Sequence, residues 1–182
     1  VLQTVAKMDL NMAPPLLARG FYRRLEEVTG VGDMYRSAKD RFNRLALDLL
    51  PDLEEKVCTS VDPFATALRL AIAGNMIDFG VNGTITEEEV HQSINRALHA
   101  PFSGNVEELR FAIGRADKIL YLADNAGEIV LDRLLIERLP RHRVILVVRG
   151  HPVINDATMA DAVSAGLPRL VEVIDNGSDV PG

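Results

Sequence analysis

The sequence predicts an α/β protein in which a helical region precedes a parallel sheet. Three observations carry that reading. Up to about residue 116 the apolar residues recur at helical spacing and no strand-like run stands out. From Lys118 the texture changes, with β-like runs at Lys118 to Ala123, Arg143 to Val148 and Leu170 to Ile174. Helical patterns at Gly127 to Leu139 and Asp156 to Ala165 separate them, with Gly166 as a natural stop. A β-α-β-α-β order calls for parallel strands and right-handed crossovers. The domain division is therefore 1–116, helical, and 117–182, α/β.

Taken in order, Val1 to Asp9 reads as the tail of a helix. Pro14 and Pro15 open the next helix, whose stripe is Leu16, Leu17, Phe21, Leu25 and Val28, and Gly30 and Gly32 end it. A third helix is expected from Asp33 to Leu50, closed by Pro51. On it Tyr35, Lys39 and Asn43 recur every four residues and share a face, expected to be solvated. Asp62-Pro63 opens the most apolar helix, through Phe64, Ala67, Leu68, Ala71 and Ile72. Asn75 continues that stripe, and Asp78 lies close to the same face. Buried polar groups there need partners or serve a site. A capping network beside Gly74 and Gly80 explains them equally well. Thr86-Glu87-Glu88-Glu89 is a capping box before Val90, Ile94 and Leu98. A last helix follows from about Asn105 to Ala116, with Val106, Leu109, Phe111 and Ile113 as candidates for burial.

Composition narrows the function classes. The chain has 182 residues, 47% hydrophobic and 25% charged, as expected of a globular protein with a real core. Net charge is −6 and no basic tract occurs, which argues against nucleic acid as a partner. Cys58 is the single cysteine, so an internal disulfide and a thiolate metal site are excluded within these residues, and a cytoplasmic location is expected. No apolar run approaches a membrane span, so no membrane partner is expected. Val1 in place of Met, and a last strand followed directly by Pro181-Gly182, predict that residues are missing at both ends.

Each predicted strand ends in polar or turn-forming residues: Asp124-Asn125-Ala126-Gly127-Glu128, then Arg149-Gly150-His151-Pro152 with Asn155-Asp156-Ala157-Thr158, then Asp175-Asn176-Gly177-Ser178-Asp179. In a parallel sheet these ends share one edge, where ligands of open α/β sheets bind. The helix after Gly127 aims its free N–H groups at the same edge, which suits a phosphate. Oxygen-only ligation selects a hard cation such as magnesium or manganese. Asp124, Asn125 and Asp156 are the candidate ligands, and Arg149 is a candidate for neutralising phosphate charge. Plainer readings stand beside these. Asp156 can cap its helix, Asn176-Gly177 can be a tight turn, and Arg149 can pair with Glu128. The dinucleotide fingerprint, the Gly-Lys-Ser/Thr phosphate loop and the nucleophile elbow are all absent.

As an ordered set, Asp124-Asn125-Ala126-Gly127-Glu128, Arg149-Gly150-x-Pro152-x-x-Asn155-Asp156-x-Thr158 and Asn176-Gly177-Ser178-x-x-x-Pro181-Gly182 resemble the damage-control phosphatases, metal-dependent enzymes once grouped as domain of unknown function 89. Asp62-Pro63 and Gly74-Asn75-x-x-Asp78-Phe79-Gly80 are similar to that family's helical segment, and the likeness is greatest to its small archaeal and bacterial members. The resemblance implies a helical domain packed on a Rossmann-like domain, with the site between them. It implies hydrolysis of phosphomonoesters with magnesium, manganese, cobalt or nickel. Asp124, Asn125 and Asp156 match the metal ligands, Glu128 matches a substrate-side acid, and Asn75 and Asp78 would line the cleft. The family's phosphate-binding lysine, on later strands, has no counterpart in these residues. The leading expectation is thus a metal-dependent phosphatase of small phosphorylated metabolites, with sugar phosphates as a candidate class. The alternatives are a non-catalytic module that binds a phosphometabolite or nucleotide, and a phosphotransferase with Asp124 as nucleophile.

Overall fold

A computed structural model of the chain describes residues 11–76, 87–101 and 103–181, together with residues 2, 6 and 9. Five helices come first: α1 (Pro14–Thr29), α2 (Arg36–Thr59), α3 (Pro63–Met76), α4 (Glu87–His99) and α5 (Val106–Arg115). Then follow β1 (Ile119–Leu122), α6 (Glu128–Ile136), β2 (Val144–Val148), α7 (Met159–Ser164) and β3 (Glu172–Asp175). The strands pair in parallel in the order β1-β2-β3, with Ile119 beside Val144 and Ile145 beside Glu172. All three expected strands are present, each slightly shorter than its apolar run. The expected capping residue Thr86, Asp78 and most of the stretch from Val1 to Asp9 lie outside the described residues. Among the described residues no helix is long and apolar enough to cross a membrane.

α6 is the centre of the packing. Ile129, Val130, Leu131, Leu134, Leu135 and Ile136 are all buried, so this helix is apolar nearly all round and needs cover on every side. α2 and α3 cover it from one side and the sheet from the other. The resulting core runs unbroken from Phe42 and Leu53 through Leu70 and Leu131 to Leu146 and Leu167. It crosses the division expected at residue 116. On the far side of the sheet, Leu120 and Leu122 remain 62% and 72% exposed among the described residues.

Gly74 sets how closely α3 approaches α6. A Cβ there would lie 3.2 Å from Glu128 Cγ and 3.3 Å from Leu131 Cβ, tighter than ordinary van der Waals contact. The missing side chain lets the end of α3 rest on the start of α6.

Three expectations are corrected. Pro51 does not close its helix, for α2 continues to Thr59 with Pro51 inside it. An interior proline costs a helix about 3 kcal/mol. Beyond it, Leu53 and Val57 extend the buried stripe of Phe42, Ala46, Leu49 and Leu50. Burying each of those side chains returns about 1.5–3 kcal/mol, and the ring itself is exposed, so continuation wins. Leu109 and Phe111 are not buried. Val106 and Ile113, seven residues apart, take the inward face of α5, while Phe111 is 65% exposed under the Arg115 guanidinium. The helix expected from Asp156 begins only at Met159, because residues 155–158 bond to neighbouring strand ends instead.

Pro51→Ala is expected to stabilise the protein by about 1–3 kcal/mol through the restored helix hydrogen bond. Urea denaturation of both forms checks this, and a lower midpoint for the variant would count against the account of α2.

Candidate active site

The site begins where the backbone ladder of the sheet runs past the strand ends. The Ala123 N–H still bonds to the Val147 carbonyl at 3.0 Å. The segment 155–158 then inserts between the ends of β1 and β2. Ala126 N–H donates to Asn155 O at 2.9 Å, Ala157 N–H to Asp124 O at 2.7 Å, and Arg149 N–H to Ala157 O at 2.8 Å. Asn125 and Asp156 thereby face each other across an antiparallel bridge. Peptide hydrogen bonds, not side-chain reach, therefore hold Asp124 and Asn125 beside Asp156. The turn into this segment is strained: Ile154 sits at φ 45°, a left-handed conformation that a β-branched residue rarely adopts.

The third strand end is tied to the second. Asn176 Oδ1 accepts from Gly150 N–H at 3.1 Å and Ser178 N–H at 2.9 Å, and His151 N–H donates to Ser178 O at 3.1 Å. A Cβ on Gly150 would lie 2.6 Å from Gly177 Cα, so only glycine allows the two turns to touch. Asn176 thus does more than make a tight turn.

From the helical side, the end of α3 delivers Asn75. Its Nδ2 lies 3.3 and 3.4 Å from the two Glu128 oxygens and 3.4 Å from Asp124 Oδ2. Asn75 is exposed at the helix end, not buried as its place in the stripe suggested. Asn125 Nδ2 also approaches Glu128 Oε2, at 3.5 Å. Asn75, Asp124, Asn125 and Glu128 thus lie together, and the bridge at Asn125 brings the Asp156 backbone alongside them. Arg149 is paired with Asp156, its Nε 2.8 Å from Asp156 Oδ2. Helix capping falls to Thr158, not to Asp156.

Charge accumulates along the first turns of α6. Burial pushes the Glu128 carboxyl up, and the Asp124 charge adds to this, while the Asn75 and Asn125 amides act in the opposite sense. Asp132, one turn further, is fully buried and held well above the carboxylate range. Burial is the main cause and the Glu128 charge adds to it, against a 2.6 Å hydrogen bond from the Tyr121 hydroxyl.

The sequence reading missed the group that supports the site from below. Lys39 and Asn43 on α2 are 0% and 2% exposed, so the face shared with Tyr35 is not solvated. Lys39 Nζ lies 2.9 Å from Asp33 Oδ2 and 3.3 Å from the Asp156 carbonyl oxygen. Asn43 and Arg36 both donate to Asp161 Oδ1, at 2.8 and 2.9 Å. Asp161 Oδ2 accepts from the Thr158 N–H and hydroxyl at 2.8 and 2.7 Å. Burial alone would raise the Asp161 carboxyl, but the Thr158 N–H, Lys39, the Thr158 hydroxyl and Asn43 together hold it below its ordinary value. The four-residue spacing of Tyr35, Lys39 and Asn43 was visible in the sequence, and the buried Phe42 and Ala46 beside them were the clue to its orientation.

Asp124, Asn125 and Asp156 offer only oxygen donors, which fits a hard divalent ion that keeps several waters. Among the described residues no three His, Cys, Asp or Glu side chains form a metal cage, so an amide oxygen such as that of Asn125 would have to take part.

Fold and site together define an α/β protein with a cluster of acids and amides at the carboxyl ends of parallel strands. The chain belongs to the damage-control phosphatase ARMT1-like domain family, whose model matches residues 1–182. It is 39% identical over 170 residues to a damage-control phosphatase of Archaeoglobus fulgidus, covering 91% of this chain and 59% of that protein. It is 32% identical over 177 residues to a damage-control phosphatase of Pyrococcus horikoshii, covering 94% and 60%. The crystal structure of a DUF89 family protein from Pyrococcus horikoshii superposes with a TM-score of 0.84 at 30% identity, over 100% of this chain and 64% of that one. The chain thus spans about three fifths of the length of these curated relatives.

Because the folded Asp161 lies below its ordinary value of 3.8, its contribution to stability is present above that pH and lost as pH falls through the folded value. Asp161→Asn is expected to cost about 3 kcal/mol at neutral pH, and the difference from the unsubstituted protein should shrink in acid below that point. Urea midpoints measured over a pH series check the sign.

Proposed function

We propose that this chain carries the metal-binding half of a divalent-metal-dependent phosphatase that hydrolyses phosphomonoesters of small metabolites. The observation that carries the proposal is the backbone bridge between Asn125 and Asp156, which joins the two strand-end segments that carry Asp124, Asn125 and Asp156. Membership of the phosphatase family and the damage-control names of its relatives support the reaction class. Sugar phosphates are the favoured substrates. Helices 1–116 are read as an all-helical domain, residues 117–182 as a Rossmann-like domain, and the compartment as the cytoplasm.

Asp124, Asn125 and Asp156 would hold magnesium, manganese, cobalt or nickel. Such an ion supplies Lewis acidity toward a phosphoryl oxygen and favours ionisation of water at neutral pH. The chain's own residues do the placing. The start of α6 lies at the same edge, where its dipole would favour a phosphate. Glu128 and Asn75 form the wall that meets the organic part of the substrate. Arg149 pairs with Asp156 and aligns it, and its cationic head would offset phosphate charge. Water, or the Asp124 carboxylate, is the nucleophile for in-line attack.

Phosphate release by the full-length protein from a panel of sugar phosphates and nitrophenyl phosphate should depend on added divalent ion. Asp124→Ala and Asp156→Ala should each lower kcat/KM at least about a hundredfold, in keeping with the several kcal/mol that a metal ion contributes. No metal-dependent release from any substrate would sink the proposal. Ligand-induced thermal stabilisation without turnover would replace it by the non-catalytic binding module.

A further inference from the structure

We propose that Asn43, assisted by Lys39, is a positioning residue that sets the geometry of the candidate metal site from α2; this rests on the metal-site reading above. Asn43 is buried and both ends of its amide are used. Its Oδ1 accepts from the Gly127 N–H at 2.8 Å and its Nδ2 donates to Asp161 Oδ1 at 2.8 Å. The orientation is not ambiguous, because a backbone N–H can only donate and an ionised carboxylate can only accept. Gly127 lies in the turn between Asn125 and Glu128. Asp161 is bonded in turn to Thr158, two residues after Asp156. One side chain therefore spans the two backbone segments that carry Asp124, Asn125 and Asp156. Lys39, one turn earlier on the same helix, reaches the carbonyl of Asp156 itself at 3.3 Å.

Anchoring α2 to the rest of the protein does not require these residue types. The neighbouring contacts of α2 are made by Phe42, Ala46, Leu49 and Leu50, and apolar residues at 39 and 43 would extend that stripe. A buried lysine and a buried amide carry a desolvation cost that apolar side chains avoid. What they supply is direction. The Asn43–Gly127 and Lys39–Asp156 bonds end on main-chain atoms within two residues of a candidate ligand, and the Asn43–Asp161 bond reaches the Thr158 backbone through the Asp161 carboxylate; hydrogen bonds of this kind fix a turn where apolar contact would let it slide. Partners of metal ligands that act in this way typically change metal affinity about 10–100-fold when removed.

The test compares Asn43→Leu with Leu49→Ala, a substitution that loosens the packing of the same helix without touching either turn. Manganese binding to the full-length proteins is measured by titration calorimetry, and exchange of the Gly127 amide by NMR. Asn43→Leu should bind manganese about 10–100-fold more weakly than the unsubstituted protein, while Leu49→Ala binds it normally. Equal affinities in Asn43→Leu and the unsubstituted protein, or an equal loss in Leu49→Ala, would overturn the inference. If the unsubstituted protein binds no manganese, the metal-site reading fails on its own. The positioning role is then read from the amide: exchange at Gly127 at least about tenfold faster in Asn43→Leu than in Leu49→Ala supports it, and equal rates overturn it. Should Asn43→Leu not fold, Lys39→Met is read in the same two assays, with Ala157 as the reporting amide.

Discussion

A buried carboxylate, Asp161, couples the helices to the edge of the sheet. It accepts hydrogen bonds from Arg36, Asn43 and both donors of Thr158, and Lys39 stands 3.6 Å away. An isolated carboxylate in this position would be prohibitively costly. With these partners its carboxyl is held below its ordinary value, while Arg36 also pairs with Asp40 and Lys39 with Asp33. Every donor comes from α2 or from the segment entering α7. The angle at which the helices meet the strand ends is therefore fixed by directed bonds, while the apolar surface of α6 fixes how tightly they meet.

The same arrangement explains why negative charge can be gathered at the mouth of the site. Asp124, Glu128 and Asp132 follow one another at a spacing of four along the start of α6, and each raises the cost of ionising the next. Burial holds the Asp132 carboxyl well above its ordinary value, with the Tyr121 hydroxyl bonded to it. Glu128 is held between two amides. Asp156 is balanced by Arg149. What is left is a cluster of acidic and amide groups around Asp124, supported from behind by Asn43, Lys39 and Asp161. Gly74 and Gly150 complete the arrangement, since each removes a side chain where two elements must nearly touch.

The turn from Asp124 to Glu128 and its pairing with Asp156 were legible in the sequence because strand-end acids in a parallel sheet share an edge whatever the details of packing. The order of strands and helices was legible for the same reason: the apolar period changes at Lys118. Pro51 misled because a local rule was outweighed by two buried side chains beyond it. Phe111 misled because a short helix with apolar residues at four positions can bury only one face. Lys39 and Asn43 were placed together on one face, yet their partner Asp161 lies more than a hundred residues away, and nothing local announces a bond of that span. The bond between Asn75 and Glu128 was likewise hidden, since it depends on how closely α3 approaches α6 at Gly74.

The central claim is that the bridge between Asn125 and Asp156 builds a site for a divalent ion. Anomalous scattering from crystals of the full-length protein grown with manganese tests it most directly. The account predicts one strong peak with oxygens of Asp124, Asn125 and Asp156 at roughly 2.0–2.3 Å, in keeping with hard-cation ligation. A manganese ion bound elsewhere, with these three side chains unligated, would contradict it.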